Sequence, residues 1–335
     1  MTTAAGAEVP ATNRMSTGAK KHVFKLRFAT AGGIDATEGA TLQRWASLCE
    51  KRSHGQIKVD AYVNGELGSQ TQTFALTQSG SLDATISASS YLTQVAPAFH
   101  VFDLPFLSQD LSQLRKVLTS PAAGQVMSTS AKADIETFAL LFAGTRAVIS
   151  QSPIAPVTPA DFKNVKIRTL SDSLFIKEWE LIGAIPTPID TNDIYLALER
   201  GLVEDVDGVA GYAVSAKWYE VAKSFTLLGH DLGPDAVYMN RHRFLRLPES
   251  LRSVVRQAAV DAAAYGFVKA QQLESAALST MRSAGLHVVT KVNKTPFEAL
   301  TRPVYKDFKY TIGPSVEKLV VTAADGPKEA SALLG

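Results

Sequence analysis

The chain has 335 residues, 46% of them apolar and 20% charged, with 34 basic against 32 acidic side chains. That length exceeds what one hydrophobic core usually serves, so two lobes are expected. A net charge of +2 with dispersed basic residues excludes a nucleic-acid surface, and the lone cysteine, Cys49, excludes internal disulfides and cysteine-rich zinc sites.

In chain order, residues 1–22 are small and polar, lack the apolar core of a secretory signal, and read as a disordered tail. "VFKLRFAT" (23–30) reads as a strand running into the turn at Gly32 and Gly33. Asp35 with Glu38 has the form of a capping box, and Leu42, Trp45, Ala46 and Cys49 mark one face of the helix that follows. Cys49 is then a small core residue. Strands follow at 57–63 and 82–89, with a short helix between them, and the first lobe continues through "VFDLPFL" (101–107). A second unit begins near residue 144, with strands at 147–150, 165–169 and 185–187, helices at 173–182 and 191–200, and "VEDVDGV" (203–209) returning to the sheet.

From residue 247 the pattern is helical for some thirty-five residues, which at about 1.5 Å per residue reaches about 50 Å and lies across both lobes. Strands alternating with helices argue for α/β layers. The expected architecture is α/β, with two lobes joined by crossing segments and a long helix crossing both lobes. Residues 23–143 and 234–272 form the first lobe, 144–233 and 273–322 the second, and 323–335 a C-terminal tail. No stretch approaches the ~18 consecutive apolar residues that span a bilayer, so direct membrane insertion is not expected.

The chemistry-bearing residues are sparse. The six histidines are scattered with no metal-ligand spacing, and read as surface or satisfied core residues. "EDVDG" (204–208) has the look of part of a calcium loop, but Val203 and Val214 stand where acids are needed, so it reads as a solvated acidic turn. Neither a nucleophile elbow nor a Cys/His arrangement occurs, and no metal or cofactor is expected.

Two arginines remain. In "FKNVKIRTL" (162–170) Val165, Ile167 and Thr169 alternate with Lys166 and Arg168, a period-2 strand that puts Arg168 on the face away from the core. Arg146 follows the apolar run "FALLFAG" where the chain crosses between lobes. Each arginine could simply bridge to an internal acid; alternatively its planar fork suits a ligand carboxylate. Composition does not choose between these.

The local words "YVNGELG", "ALTQSGSLDATISASS", "FDLPFL", "GTR", "TPADFKNVKIRTL", "LIGAIPTPIDTNDIYLALERGLVEDVDG" and "KWYEVAK" occur in one order and spacing. Together they resemble the substrate-binding proteins of tripartite ATP-independent periplasmic (TRAP) transporters, the DctP-like family, over about residues 23–322. The resemblance implies an α/β, two-lobed periplasmic-binding-protein-like fold with a long helix crossing both lobes, and a periplasmic, monomeric, non-enzymatic protein that closes on a small organic acid and delivers it to TRAP membrane permease subunits.

It further implies that Arg168 pairs with the ligand carboxylate and that Arg146 is a second anion contact. Ser171, Thr191, Gln70 and Ser89 are the lining residues it suggests, and Gly208 takes the place of an asparagine that often touches ligand. Ala31, Ala88 and Thr191 replace the groups that members binding sialic acid carry, so the resemblance implies a ligand other than sialic acid, with a modest apolar body. An enzyme acting on a carboxylate on the same scaffold, or a soluble ligand sensor, are the alternatives.

Overall fold

The computed structural model describes residues 22–325, so the N-terminal tail and the last ten residues lie outside the described residues. Eleven strands are present among them: β1 (Phe24–Ala29), β2 (Ile57–Tyr62), β3 (Ala84–Ala88), β4 (Ile135–Phe142), β5 (Arg146–Ser150), β6 (Lys166–Thr169), β7 (Ile185–Pro188), β8 (Asp205–Val209), β9 (Ser224–Thr226), β10 (Pro234–Asn240) and β11 (His287–Val289). They form two sheets, ordered β2-β1-β3-β10-β4 and β11-β9-β5-β8-β6-β7. The chain therefore crosses between sheets after β4, again before β10, and once more along a helix spanning Glu249–Ser283.

β1, β2 and β3 are parallel, as their helical connections require. β10 then enters antiparallel between β3 and β4, pairing Asp235 with Ala88 on one side and Leu141 on the other. The helix Thr37–Arg52 lays Leu42, Trp45 and Cys49 on this sheet, and Trp45 Nε1 donates to the Val255 carbonyl of the long helix at 3.1 Å. Burial of Cys49 confirms it as a core residue and pushes its thiol up to about 12. The long helix packs on this first helix and β4 at its start and on the helix Ala210–Ser215 and β11 further along. It spans both sheets, as its length implies.

Two local expectations are corrected. The helix starting at Thr37 is capped by Ala36 without a side-chain bond, while Asp35 is exposed and Glu38 is buried. Glu38 instead accepts from Thr30 Oγ1 at 2.9 Å and Gln70 Nε2 at 3.1 Å, two neutral donors that the capping reading did not offer. The "EDVDG" segment is no solvated turn: Asp205 and Asp207 are buried on β8.

At the C-terminus a helix spans Pro314–Asp325, so residues 323–325 belong to it and not to a tail. It packs on the helices Leu111–Leu118 and Pro121–Thr129, while the helix Pro303–Ile312 packs on the turn Pro97–Asp103 and the helix Ser173–Ile182. The C-terminal helices thus clasp elements that follow both sheets.

Candidate ligand site

Between the two sheets lies a cavity of about 60 Å³, bounded by side chains from both. The second sheet supplies Arg146 from β5, Arg168 from β6 and Gly208 from β8. The first supplies Ala88 from β3 and Asp235 from β10, with Glu38, Gln70 and Asp103 from the helices and turn beside it. Leu170, Phe175, Tyr212 and Trp218 form its apolar and aromatic walls.

The two arginines differ in their partners. Arg146 lies next to Asp207: Nε donates to Oδ1 at 3.0 Å and Nη2 lies 2.7 Å from Oδ2. Asp207 also accepts from Trp179 Nε1 at 3.1 Å and Thr169 Oγ1 at 3.3 Å, and His230 Nε2 sits 3.4 Å away. Burial alone would raise this carboxyl, but Arg146 and His230 hold it far below the usual carboxylate range. The fork is further covered by the Phe175 ring, whose centre is 4.5 Å from the guanidinium carbon. Arg146 is therefore a neutralised structural cation with one edge on the cavity.

Arg168 has no such acid. Alternation on β6 buries Ile167 against Phe162 and Trp179 on one face and turns Arg168 to the cavity on the other, leaving it 2% exposed. Nε donates to the Ile189 carbonyl at 2.9 Å and Nη1 to the Asp207 carbonyl at 3.0 Å. Nη2 is buried without a hydrogen-bond partner among the described residues. Burial, with Arg146 adding to it, pulls the guanidinium down to about 10. A buried cation with only carbonyl dipoles around it and one edge unmet is poised for an anion.

The same cavity is bordered by carboxyls that the sequence alone did not single out. Asp103, Asp231 and Asp235 each carry a buried Oδ2 without a partner, and Glu38 completes the set. Burial raises Glu38 and Asp231 to about 7. It raises Asp103 and Asp235 well above the carboxylate range, helped by Asp231 beside the first and Glu38 beside the second.

Residues 28–311 match the profile of the DctP family, described as bacterial extracellular solute-binding protein, family 7. The chain belongs to this family. A solute-binding protein of Sulfitobacter sp. (strain NAS-14.1) is 30% identical over 92% of this chain and 94% of its own length. The C4-dicarboxylate-binding periplasmic protein DctP of Rhodobacter capsulatus is 25% identical, covering 86% and 87%. Among solved structures, a TRAP periplasmic solute-binding protein from Bradyrhizobium sp., in complex with galacturonate, superposes with a TM-score of 0.84 at 27% identity over 90% of this chain and 99% of that one. The two-lobed α/β fold and the TRAP solute-binding function read from the resemblance are thereby established.

The residues that the family resemblance suggested fall into place unevenly. Arg168, Arg146, Thr191, Gly208 and Gln70 all border the cavity. Gly208 is there because a Cβ would meet Trp218 at 2.8 Å, which leaves no room for the asparagine the resemblance aligns with it. Ser89 is buried one position off and holds Asp103 at 3.3 Å, while its neighbour Ser90 borders the cavity. Ser171 is exposed beyond the end of β6 and does not border it. The expected apolar ligand body is not matched, because Glu38, Asp103, Asp231 and Asp235 furnish polar contacts that Ala31 and Ala88 lack. Of the histidines, His100 pairs with Asp172 at 3.2 Å, whereas His230 is buried 3.4 Å from Asp207 with both ring nitrogens lacking a hydrogen-bond partner among the described residues; neither borders the cavity.

Proposed function

We propose that this protein works outside the cytoplasm, in the periplasm, as the monomeric receptor of a TRAP transporter, and that it binds a small organic acid and hands it to the membrane permease. The observation that carries the reading is Arg168: a buried guanidinium with an unmet edge on an interlobe cavity and no ion pair among the described residues. The ligand carboxylate completes that fork, and its polar body meets the acids on the opposite wall. The galacturonate complex of the Bradyrhizobium relative fits a ligand of this kind.

The protein acts as a receptor and not as an enzyme, a reading supported by its membership of a solute-binding family. The two sheets with their flanking helices swing as units about the crossings at 143–145 and 227–233 and a bend of the long helix, admitting ligand to a site that is enclosed when they meet. No helix among the described residues is long and apolar enough to cross a membrane.

A thermal-shift screen of small carboxylates tests the reading, because ligand at 100 times Kd adds about 2.7 kcal/mol to stability. The free acid of the best hit is expected to bind far more tightly than its amide, and small-angle scattering to show a smaller radius of gyration at saturation. Equal binding of acid and amide removes the carboxylate anchor from the argument, and an unchanged radius removes closure.

A further inference from the structure

Two features of the cavity run against a simple anion site. The first is its count of ionisable groups. With Arg146 neutralised by Asp207, one free guanidinium, Arg168, faces four carboxyls: Glu38, Asp103, Asp231 and Asp235. Burial keeps these carboxyls largely protonated in the empty cavity, and they ionise there only when a ligand brings a positive charge to meet them.

The second feature is the arrangement of unmet atoms. Asp103, Asp231 and Asp235 are at most 6% exposed, and each has a carboxyl oxygen without a hydrogen-bond partner. Arg168 presents the complementary donor from the second sheet. Asp235 lies at the start of β10 of the first sheet and Asp103 ends the turn Pro97–Asp103 that follows β3, so these two acceptors sit on the lobe opposite the arginines, while Asp231 lies in the crossing with its carbonyl 2.9 Å from the Arg146 amide. Hydroxyl donors would satisfy the acceptors while the carboxyls stay neutral. An ammonium supplies three donors and, with them, a positive charge against which a carboxyl ionises.

We propose that the ligand is a dipolar acid, with a carboxylate held by Arg168 and a protonated amine at its other end held among Asp103, Asp231, Asp235 and Glu38. The inference rests on the carboxylate reading above and adds the charge of the ligand's second end. A dipolar ligand lies across the seam with each end on a different lobe, and closure then desolvates two opposite charges against two complementary partners.

Titration calorimetry on the full chain decides it, using pairs of acids that differ in the terminal amine alone: 4-aminobutyrate with 4-hydroxybutyrate, 5-aminovalerate with 5-hydroxyvalerate, and 6-amino-6-deoxygluconate with gluconate. The amine of at least one pair is expected to bind tenfold or more tighter than its hydroxyl partner. In the near-isosteric Asp235→Asn and Asp103→Asn proteins the preference for the amine over its hydroxyl partner should shrink at least tenfold, and Arg168→Ala should weaken both members. Hydroxy acids that bind as tightly as their amines, still dependent on Arg168, overturn the dipolar ligand and leave the carboxylate anchor standing. Amines that keep their preference in both asparagine variants, with folding confirmed by circular dichroism, remove the acid wall from the explanation. Binding that ignores Arg168 overturns the anchor itself, and silence from the whole panel counts against both.

Discussion

Replacing Arg168 by alanine probes the anchor most directly, and the structure sets the size of the effect. Burial, against a neighbouring Arg146, pulls this guanidinium from 12.5 to about 10. At about 1.36 kcal/mol per unit, the ligand-free protein holds it charged at a cost of about 3 kcal/mol. A carboxylate docked on the fork recovers a cost of that order, which agrees with the roughly 2–5 kcal/mol lost when one partner of a desolvated pair is removed. At about 1.4 kcal/mol per tenfold, affinity for the acid should fall on the order of 200-fold, within a span of about 30-fold to several thousandfold.

The ligand-free protein should respond differently. Alanine loses the bonds to the Ile189 and Asp207 carbonyls, about 1.5–3 kcal/mol each for a charged donor, but sheds the cost of the buried charge. The two nearly offset, and the melting temperature should move by only a few degrees. Arg168→Lys keeps the charge without the planar fork and should restore only part of the affinity. Calorimetric titration beside thermal melts reads both quantities. Wild-type affinity in a folded Arg168→Ala protein would falsify the anchor, and a large loss of stability with normal titration would make Arg168 a structural bridge.

Three other outcomes follow from the same geometry. Asp207→Asn leaves Arg146 buried without its counter-charge and should lower stability by about 3–5 kcal/mol in chemical denaturation; an unchanged midpoint would show that the pair does not hold the second sheet's core. Glu38, raised from 4.5 to about 7, and Asp231, raised from 3.8 to about 7, favour the protonated folded state, so their stability is full below their unfolded values and is lost as pH rises through about 7. The melting temperature of the ligand-free protein should therefore fall from about pH 5 to about pH 8, and Glu38→Gln should flatten the fall; a curve unaffected by that substitution would deny Glu38 its part. Gly208→Ala places a methyl 2.8 Å from Trp218, so the indole must shift into the cavity wall, at about 1–3 kcal/mol and with weakened ligand binding; titration identical to wild type would show the indole to be free to move.

What the sequence revealed, and what it withheld, follows from the range of the signals involved. The strand carrying Arg168 could be read because a period of two in "VKIRT" fixes which side chain leaves the core, and the structure keeps that face. The partner of Arg146 could not: Asp207 sits in an acidic word that looks like a surface turn, and only the pairing of β5 with β8 brings it beside Arg146. Glu38 was visible as a capping residue because the motif is local, yet Gln70 and Thr30 reach it from other segments. Asp103, Asp231 and Asp235 come from a turn, a crossing and the first residues of a strand, positions that share no periodicity. Ser171 failed for the opposite reason: it lies close to Arg168 in the chain, but beyond the end of the strand its side chain faces out.

The insertion of β10 between β3 and β4 has a consequence for how the molecule is made. Synthesis delivers β1 to β4 first, but β3 and β4 do not touch each other in the finished sheet, and the strand that joins them is made only after β5 to β9. Until residue 240 has been added, each of these two strands holds a bare edge of unpaired backbone groups, the kind of edge that recruits other chains. Neither lobe can then be completed in order of synthesis, and contacts between residues as far apart as Ala88 and Asp235 make folding slow as well as late. A nascent chain of this topology depends on being kept apart from its neighbours until almost three quarters of it exists, and a truncation before β10 should yield an aggregate and not a smaller receptor.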